Sequence, residues 1–375
     1  MKNLSKTEID RALELHRKAT VVNGLSVLFD STMSGLDTYR LIPRFREYVN
    51  LLKEGGVTAV NFTAAINQNC HEACKKIAQI LRAIHELQEQ RVIQIHEVED
   101  IHRAKREQLV GLILGFQNVM PIEDNPDLLW LYNALGVKII QLTYNARSLA
   151  GDGCFERTDA GLSEFGMELV RKMNQLGILI DASHCGHQTT LDAIEASSDP
   201  IAITHSSARH FNPLTYQRSK TDEQIKALAE KGGVMGIIAE STFLAPRGHE
   251  DTTIDNCLAH INYVAELVGV DHVGIGSDVI EFIDDKFVSD LRTRGLSHSS
   301  KPFDVFLEAG YLSKTRFETM YPREFNTLAK SQNITMGLVA AGFSDDETLK
   351  ILGANFLRLF ARVWKKAPVQ KRGEQ

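Results

Sequence analysis

Five times along this chain a helix-like segment stops at glycine and an aliphatic run follows closely. The stops are Glu54-Gly55-Gly56, Leu135-Gly136, Leu176-Gly177, Lys231-Gly232-Gly233 and Val268-Gly269. Glycine accepts the left-handed conformation that ends a helix, after which the chain can turn into a strand. The runs that follow are continuous rather than alternating, as expected of parallel strands covered on both faces. Three more runs of the same kind complete a set of eight candidate strands, at 21–29, 57–64, 110–114, 137–142, 178–180, 201–204, 234–238 and 273–275.

Strands alternating with helices over about 260 residues fit an α/β fold, the (β/α)8 TIM barrel, whose usual size is about 250 residues. A doubly wound open sheet is the competing reading, but the chain has no GxGxxG or Walker A motif to furnish it with a nucleotide site. The reading predicts a single barrel domain over 1–375. A helix within 1–19 and C-terminal helices within 323–366 pack on that barrel. Phe356, Leu357, Leu359, Phe360 and Val363 form an apolar stripe expected to lie on the barrel wall. Residues 281–320 are mixed in character and are expected to pass over the barrel mouth.

Composition narrows the function classes. A net charge of −6, with basic residues clustered only in the short tail after Lys365, argues against a nucleic-acid binder. The charged first 17 residues lack the apolar core of a signal peptide, and no stretch has the length to span a bilayer. Five scattered cysteines are an odd number, which points to reduced thiols and a cytoplasmic setting. Cys70 and Cys74 have no second pair with which to build a structural zinc site.

In such a barrel the active site lies at the C-terminal ends of the strands. Those ends carry Asn23 and Ser26, Asn61 and Thr63, Gln117 and Asn118, Thr143-Tyr144-Asn145, His184, His205 and Ser277-Asp278. Two neutral imidazoles from consecutive parallel strands suit a metal such as zinc, although a loop hydrogen-bonding role also accounts for a bare pair. Asp278 after a buried strand calls for a cation or donors, or else serves as a helix N-cap. Arg218 is a candidate for gripping a carboxylate, its alternative being a surface charge. Glu156 is a lid carboxylate or a loop cap, and Cys185 a small buried residue.

The same positions carry a resemblance. Leu-Thr-Tyr-Asn, Gly-Asp-Gly-Cys-Phe-Glu, Gly-Leu-Ser-Glu-Phe-Gly, Asp-Ala-Ser-His, Thr-His-Ser, Arg-Ser-Lys-Thr-Asp-Glu and Gly-Ile-Gly-Ser-Asp occur in this order. The series resembles the membrane dipeptidase (renal dipeptidase) family, peptidase family M19, from about residue 20 to residue 363. The resemblance implies a metal-dependent, amidohydrolase-like barrel that splits dipeptides with two zinc ions, and a homodimer. It also implies metal-binding roles for His184 and His205, a proton-shuttling role for Asp278 and a carboxylate-binding role for Arg218.

Three departures stand out. The family's Asp-Gly-His-x-Asp is Asn23-Gly24-Leu25-Ser26-Val27 here, its bridging glutamate is Gln117, and the histidine of its Leu-Thr-His motif is Tyr144. Two divalent ions would bring four positive charges to a pocket with only Asp278 left of the family's carboxylates, at a cost of several kcal/mol or more per poorly compensated ion. The expectation is therefore one divalent metal, zinc, on His184 and His205, with Asp278 as base and Tyr144 as donor to the carbonyl. Arg218, Gln117, Asn118, Asn145 and Glu156 would bind substrate, a small amide or dipeptide-like compound. Two readings compete with this one: a metal-free lyase or isomerase on the same barrel, and a non-catalytic binding protein that retains a pocket.

Overall fold

The computed structural model describes residues 4–28, 38–212, 218–245, 252–282 and 320–364. Ten strands are present among them: β1 (Val22–Leu28), β2 (Ala59–Ala65), β3 (Val92–Gln94), β4 (Val110–Phe116), β5 (Val137–Gln141), β6 (Leu179–Asp181), β7 (Ala202–Ser206), β8 (Val234–Ile237), β9 (Val273–Ile275) and β10 (Val279–Glu281). Eight of them pair in parallel in the order β1-β2-β4-β5-β6-β7-β8-β9, and the Asn23–Ile275 pairing of β1 with β9 closes the ring. This is the (β/α)8 barrel expected from the alternating pattern, and all eight predicted runs fall on its wall. The junction glycines behave as predicted, with positive φ at Gly56, Gly136, Gly177, Gly232 and Gly269.

Two strands are additions to the sequence reading. β3 pairs with the first half of β4, and β10 lies along the end of β1. Each has three residues, too few to display a period. Of the predicted passage at 281–320, residues 283–319 lie outside the described residues, as does the basic tail. Among the described residues no helix is long and apolar enough to cross a membrane.

Of the C-terminal stripe, Phe356, Leu359, Phe360 and Val363 are buried. They join Val22, Ala59, Ile113, Ile139, Leu179, Ala202 and Val234 in one cluster. That cluster takes one inward residue from each of seven barrel strands, mostly at the strand starts, so helix Asn355–Val363 plugs the end of the barrel opposite the histidines. Leu357 is only partly buried against it.

The upper interior is organised by an absence of side chains. A Cβ placed at Gly24, Gly236 or Gly276 would lie 2.5, 2.0 or 1.7 Å from the Thr204 carbonyl oxygen. The backbone of β7 therefore passes through space that β1, β8 and the residues after β9 leave open, and this route carries His205 towards the middle of the barrel. Backbone cannot be displaced as cheaply as a flexible side chain. Gly276→Ala should therefore destabilise the fold by about 1–3 kcal/mol or more. Denaturant unfolding checks this, and a change within error of zero would show that β7 is not confined in this way.

Candidate metal centre

His184 lies three residues beyond the end of β6, and His205 lies within β7. Their Nε2 atoms approach to 3.0 Å, and both side chains are buried. With Asp278 they form a group whose ligand atoms all lie within 4.8 Å of one another. It is the one group of three or more metal-ligating residues found among the described residues.

Each imidazole is oriented from behind. Nδ1 of His184 lies 2.6 Å from Asn145 Oδ1, and the Tyr144 ring stacks on the imidazole with centroids 4.5 Å apart. Nδ1 of His205 lies 2.8 Å from Thr204 Oγ1, whose own hydrogen goes to Asp181 Oδ2 at 2.6 Å. Asn145 Oδ1 is placed to accept from His184 Nδ1, and the Thr204 oxygen to accept from His205 Nδ1. One proton shared by the two Nε2 atoms, or one cation held by both lone pairs, satisfies this close approach. Burial, reinforced by the nearby Arg218, holds both imidazoles well below their usual pKa and hence neutral, the form that binds a metal. Their separation is short enough for one ion to reach both with bonds of about 2.0–2.1 Å. The donor set thus fits a metal.

Asp278 adopts φ 54° in the turn between β9 and β10. No helix begins there, so it is not an N-cap. Its amide donates to Leu25 O at 3.0 Å, and burial pushes its carboxyl up to about 7, against the pull of Arg218 and with the help of Glu240 and Asp181. Asn145 likewise has a positive φ, of 61°. Two non-glycine residues in this uncommon region, both at one site, suit a functional origin for the strain.

Arg218 is no surface charge. It is 1% exposed and donates from Nη1 to the carbonyls of Ser183 (3.2 Å) and His205 (2.8 Å), so it grips both histidine-bearing segments. Its Nη2 stands 4.0 Å from Asp278 Oδ2, and the guanidinium lies over the Phe243 ring at 5.1 Å. Nε and Nη2 meet no hydrogen-bond acceptor among the described residues. A buried cationic fork with unused donors suits an anionic ligand group.

The other sequence candidates are placed as follows. Gln117 is buried at the end of β4 and donates to Thr63 Oγ1 at 2.8 Å. Asn118 donates to Asn67 and accepts from the Val119 amide, and Glu156 accepts the Arg147 amide, so Asn118 and Glu156 organise loops. The positions that depart from the family pattern, Leu25 and Val27, are buried apolar side chains.

Sequence reasoning passed over Asp181, Thr204, Lys220 and Glu240. Lys220 is wholly buried, donates to Cys185 O at 2.9 Å, and is pushed down by burial to about 8. Asp181 and Thr204 stand in the quoted motifs next to the histidines, and Lys220 two residues after Arg218 in another, a signal that was visible, whereas nothing local marks Glu240.

The chain is similar to several known proteins. An uncharacterised dipeptidase of Schizosaccharomyces pombe is 31% identical over 173 residues, covering 45% of this chain and 41% of that protein. The dipeptidase tcpJ of Claviceps purpurea is 26% identical over 294 residues, 78% of this chain and 60% of that one. The chain therefore matches about half the length of these two relatives. A solved amidohydrolase from Pseudomonas aeruginosa superimposes with a TM-score of 0.80 at 30% identity, over 95% of this chain and 99% of that one. The membrane dipeptidase family, peptidase family M19, matches residues 10–292, and the chain belongs to it.

Proposed function

We propose that this protein is a mononuclear metal-dependent hydrolase of small amide or dipeptide-like substrates, with zinc on His184 and His205 and Asp278 beside them. The observation that carries the proposal is the pair of buried Nε2 atoms 3.0 Å apart, grouped with the Asp278 carboxylate so that all the ligand atoms lie within 4.8 Å of one another. The count of one follows from chemistry: Leu25 and Val27 offer no donor atom, and Gln117 is a neutral amide engaged with Thr63.

When bound, a divalent ion supplies Lewis acidity, activating water near neutral pH and polarising a carbonyl. The chain's own residues do the rest. Arg218 orients a substrate carboxylate through its unused Nε and Nη2 donors. Tyr144, whose phenol burial keeps protonated, donates to the carbonyl oxygen as negative charge develops there. Asp278 takes the proton from the attacking water and passes it to the departing amine as the C–N bond breaks. Gln117, Asn118, Asn145 and Glu156 shape the pocket around these groups. A small-molecule substrate, a homodimeric state and a cytoplasmic setting belong to the same proposal. The resemblance supports the dimer, and the free thiols of all five cysteines support the compartment.

Metal analysis of protein purified without chelator should find one zinc or iron per chain. Two per chain would overturn the mononuclear reading. None, with no activity gained on adding metal, would favour a metal-free enzyme or a binding protein. Arg218→Lys should lower kcat/KM for a dipeptide by about 10–100-fold, the loss of a charge-assisted hydrogen bond. The corresponding dipeptide amide, lacking the carboxylate, should be affected far less; equal losses would remove Arg218 from substrate recognition.

The raised Asp278 carboxyl makes a separate prediction for metal-free protein. The folded chain holds this proton up to about 7, against an ordinary 3.8, so folding is favoured while the group is protonated. Stability therefore falls as pH rises from about 4 through about 7. Asp278→Asn, which has no charge to bury, should gain Tm over wild type across that interval. A difference in Tm that stays constant with pH would contradict the burial of this charge.

A further inference from the structure

The proposed metal site depends on His205 presenting Nε2, and the groups behind the ring determine which nitrogen it presents. Asp181 is buried at the end of β6 and accepts four hydrogen bonds. Ser183 N (2.9 Å), Ser183 Oγ (2.5 Å) and Thr204 N (3.0 Å) donate to Oδ1, and Thr204 Oγ1 (2.6 Å) donates to Oδ2. Burial raises the Asp181 carboxyl, but the four hydrogen bonds oppose that rise. Two of their donors are backbone amides, which can only donate, and the buried Lys220 interacts with the carboxyl electrostatically, so the hydrogen-bond geometry favours an ionised carboxylate. An ionised Asp181 takes the one hydrogen of the Thr204 hydroxyl. The hydroxyl oxygen, 2.8 Å from His205 Nδ1, is left as an acceptor, and Nδ1 must carry the proton.

The direct Asp181–His205 distance is 4.0 Å, too long for a hydrogen bond, so the hydroxyl is the link. Its position is not adjustable, because the Thr204 backbone runs through the space left by Gly24, Gly236 and Gly276. Ser183, held by the same carboxylate, accepts the His205 amide at 3.1 Å and immediately precedes His184.

We propose that Asp181 and Thr204 are positioning residues that act on the metal through His205. The chain from carboxylate to hydroxyl to imidazole fixes the Nδ1–H tautomer and makes Nε2 the stronger ligand. Partners of this kind behind a metal ligand typically contribute about 10–100-fold in affinity. The inference rests on the proposed metal reading, and its test has a part that is independent of it.

The full chain, labelled with 15N-histidine and treated with chelator, is measured by long-range proton–nitrogen NMR, with His205 assigned from the spectrum of His205→Gln. Wild type should show His205 protonated on Nδ1. Thr204→Val, which removes the acceptor, should move the proton to Nε2, and Thr204→Ser should leave it on Nδ1. An Nε2–H tautomer in wild type, or an unchanged tautomer in a folded Thr204→Val, overturns the proposal whether or not any metal binds. Zinc affinity is then read by competition with a chromophoric chelator. Thr204→Val should bind about 10–100-fold more weakly and Thr204→Ser within a few-fold of wild type. Equal affinity in wild type and Thr204→Val overturns the positioning role alone. Wild type that shows the expected tautomer but binds no zinc overturns the metal reading, and the effect on affinity with it.

Discussion

A carboxylate sealed inside a barrel is costly unless donors surround it, and Asp181 is surrounded by four. Those donors come from the residues just before the two histidines. Meeting the needs of one buried charge therefore ties the end of β6 to β7 and sets the distance and angle between His184 and His205. The imidazole pair is a consequence of this arrangement as much as of the strands that bear it.

The electrostatics of the site follow from the same burial. Arg218 and Lys220 are both inside, with Asp181 and Asp278 as their anionic counterparts. The cations help keep the imidazoles neutral, and Arg218 moderates the rise that burial imposes on Asp278. Buried charges of this number are tolerated because each meets hydrogen-bonding groups or an opposite charge. Arg218 is the partial exception, with Nε and Nη2 left unused, and it marks where a ligand's negative charge would complete the set.

Packing supports the chemistry from below. Helix Asn355–Val363 fills the barrel at the strand starts, and above that plug the interior changes from aliphatic to polar: Asn61, Gln141, Asp181 and Thr204 follow Ala59, Ile139, Leu179 and Ala202 two residues on. Three glycines admit the β7 backbone to the centre of this polar layer. The β7 backbone is thus confined where it carries His205, and the loop that holds Asn145 and Cys154 is hydrogen-bonded to His184.

The order of elements, the parallel wall and the family were legible in the sequence, because helix-ending glycines and buried aliphatic runs act locally and do so at every repeat. His184, His205, Asp278 and Arg218 were legible as residues in matched motifs. Their states were not. Whether Arg218 was a surface charge or a buried fork, whether Asp278 capped a helix, and which face the Phe356 stripe covered depended on contacts between segments far apart in the chain. Asp181 meets the Thr204 hydroxyl across the β6–β7 pairing, and the Thr204 carbonyl occupies space left open at Gly276, contacts that no local stretch of sequence displays. Local patterning determined the fold; the charge, tautomer and reach of the site residues were decided by burial, which only the tertiary structure creates.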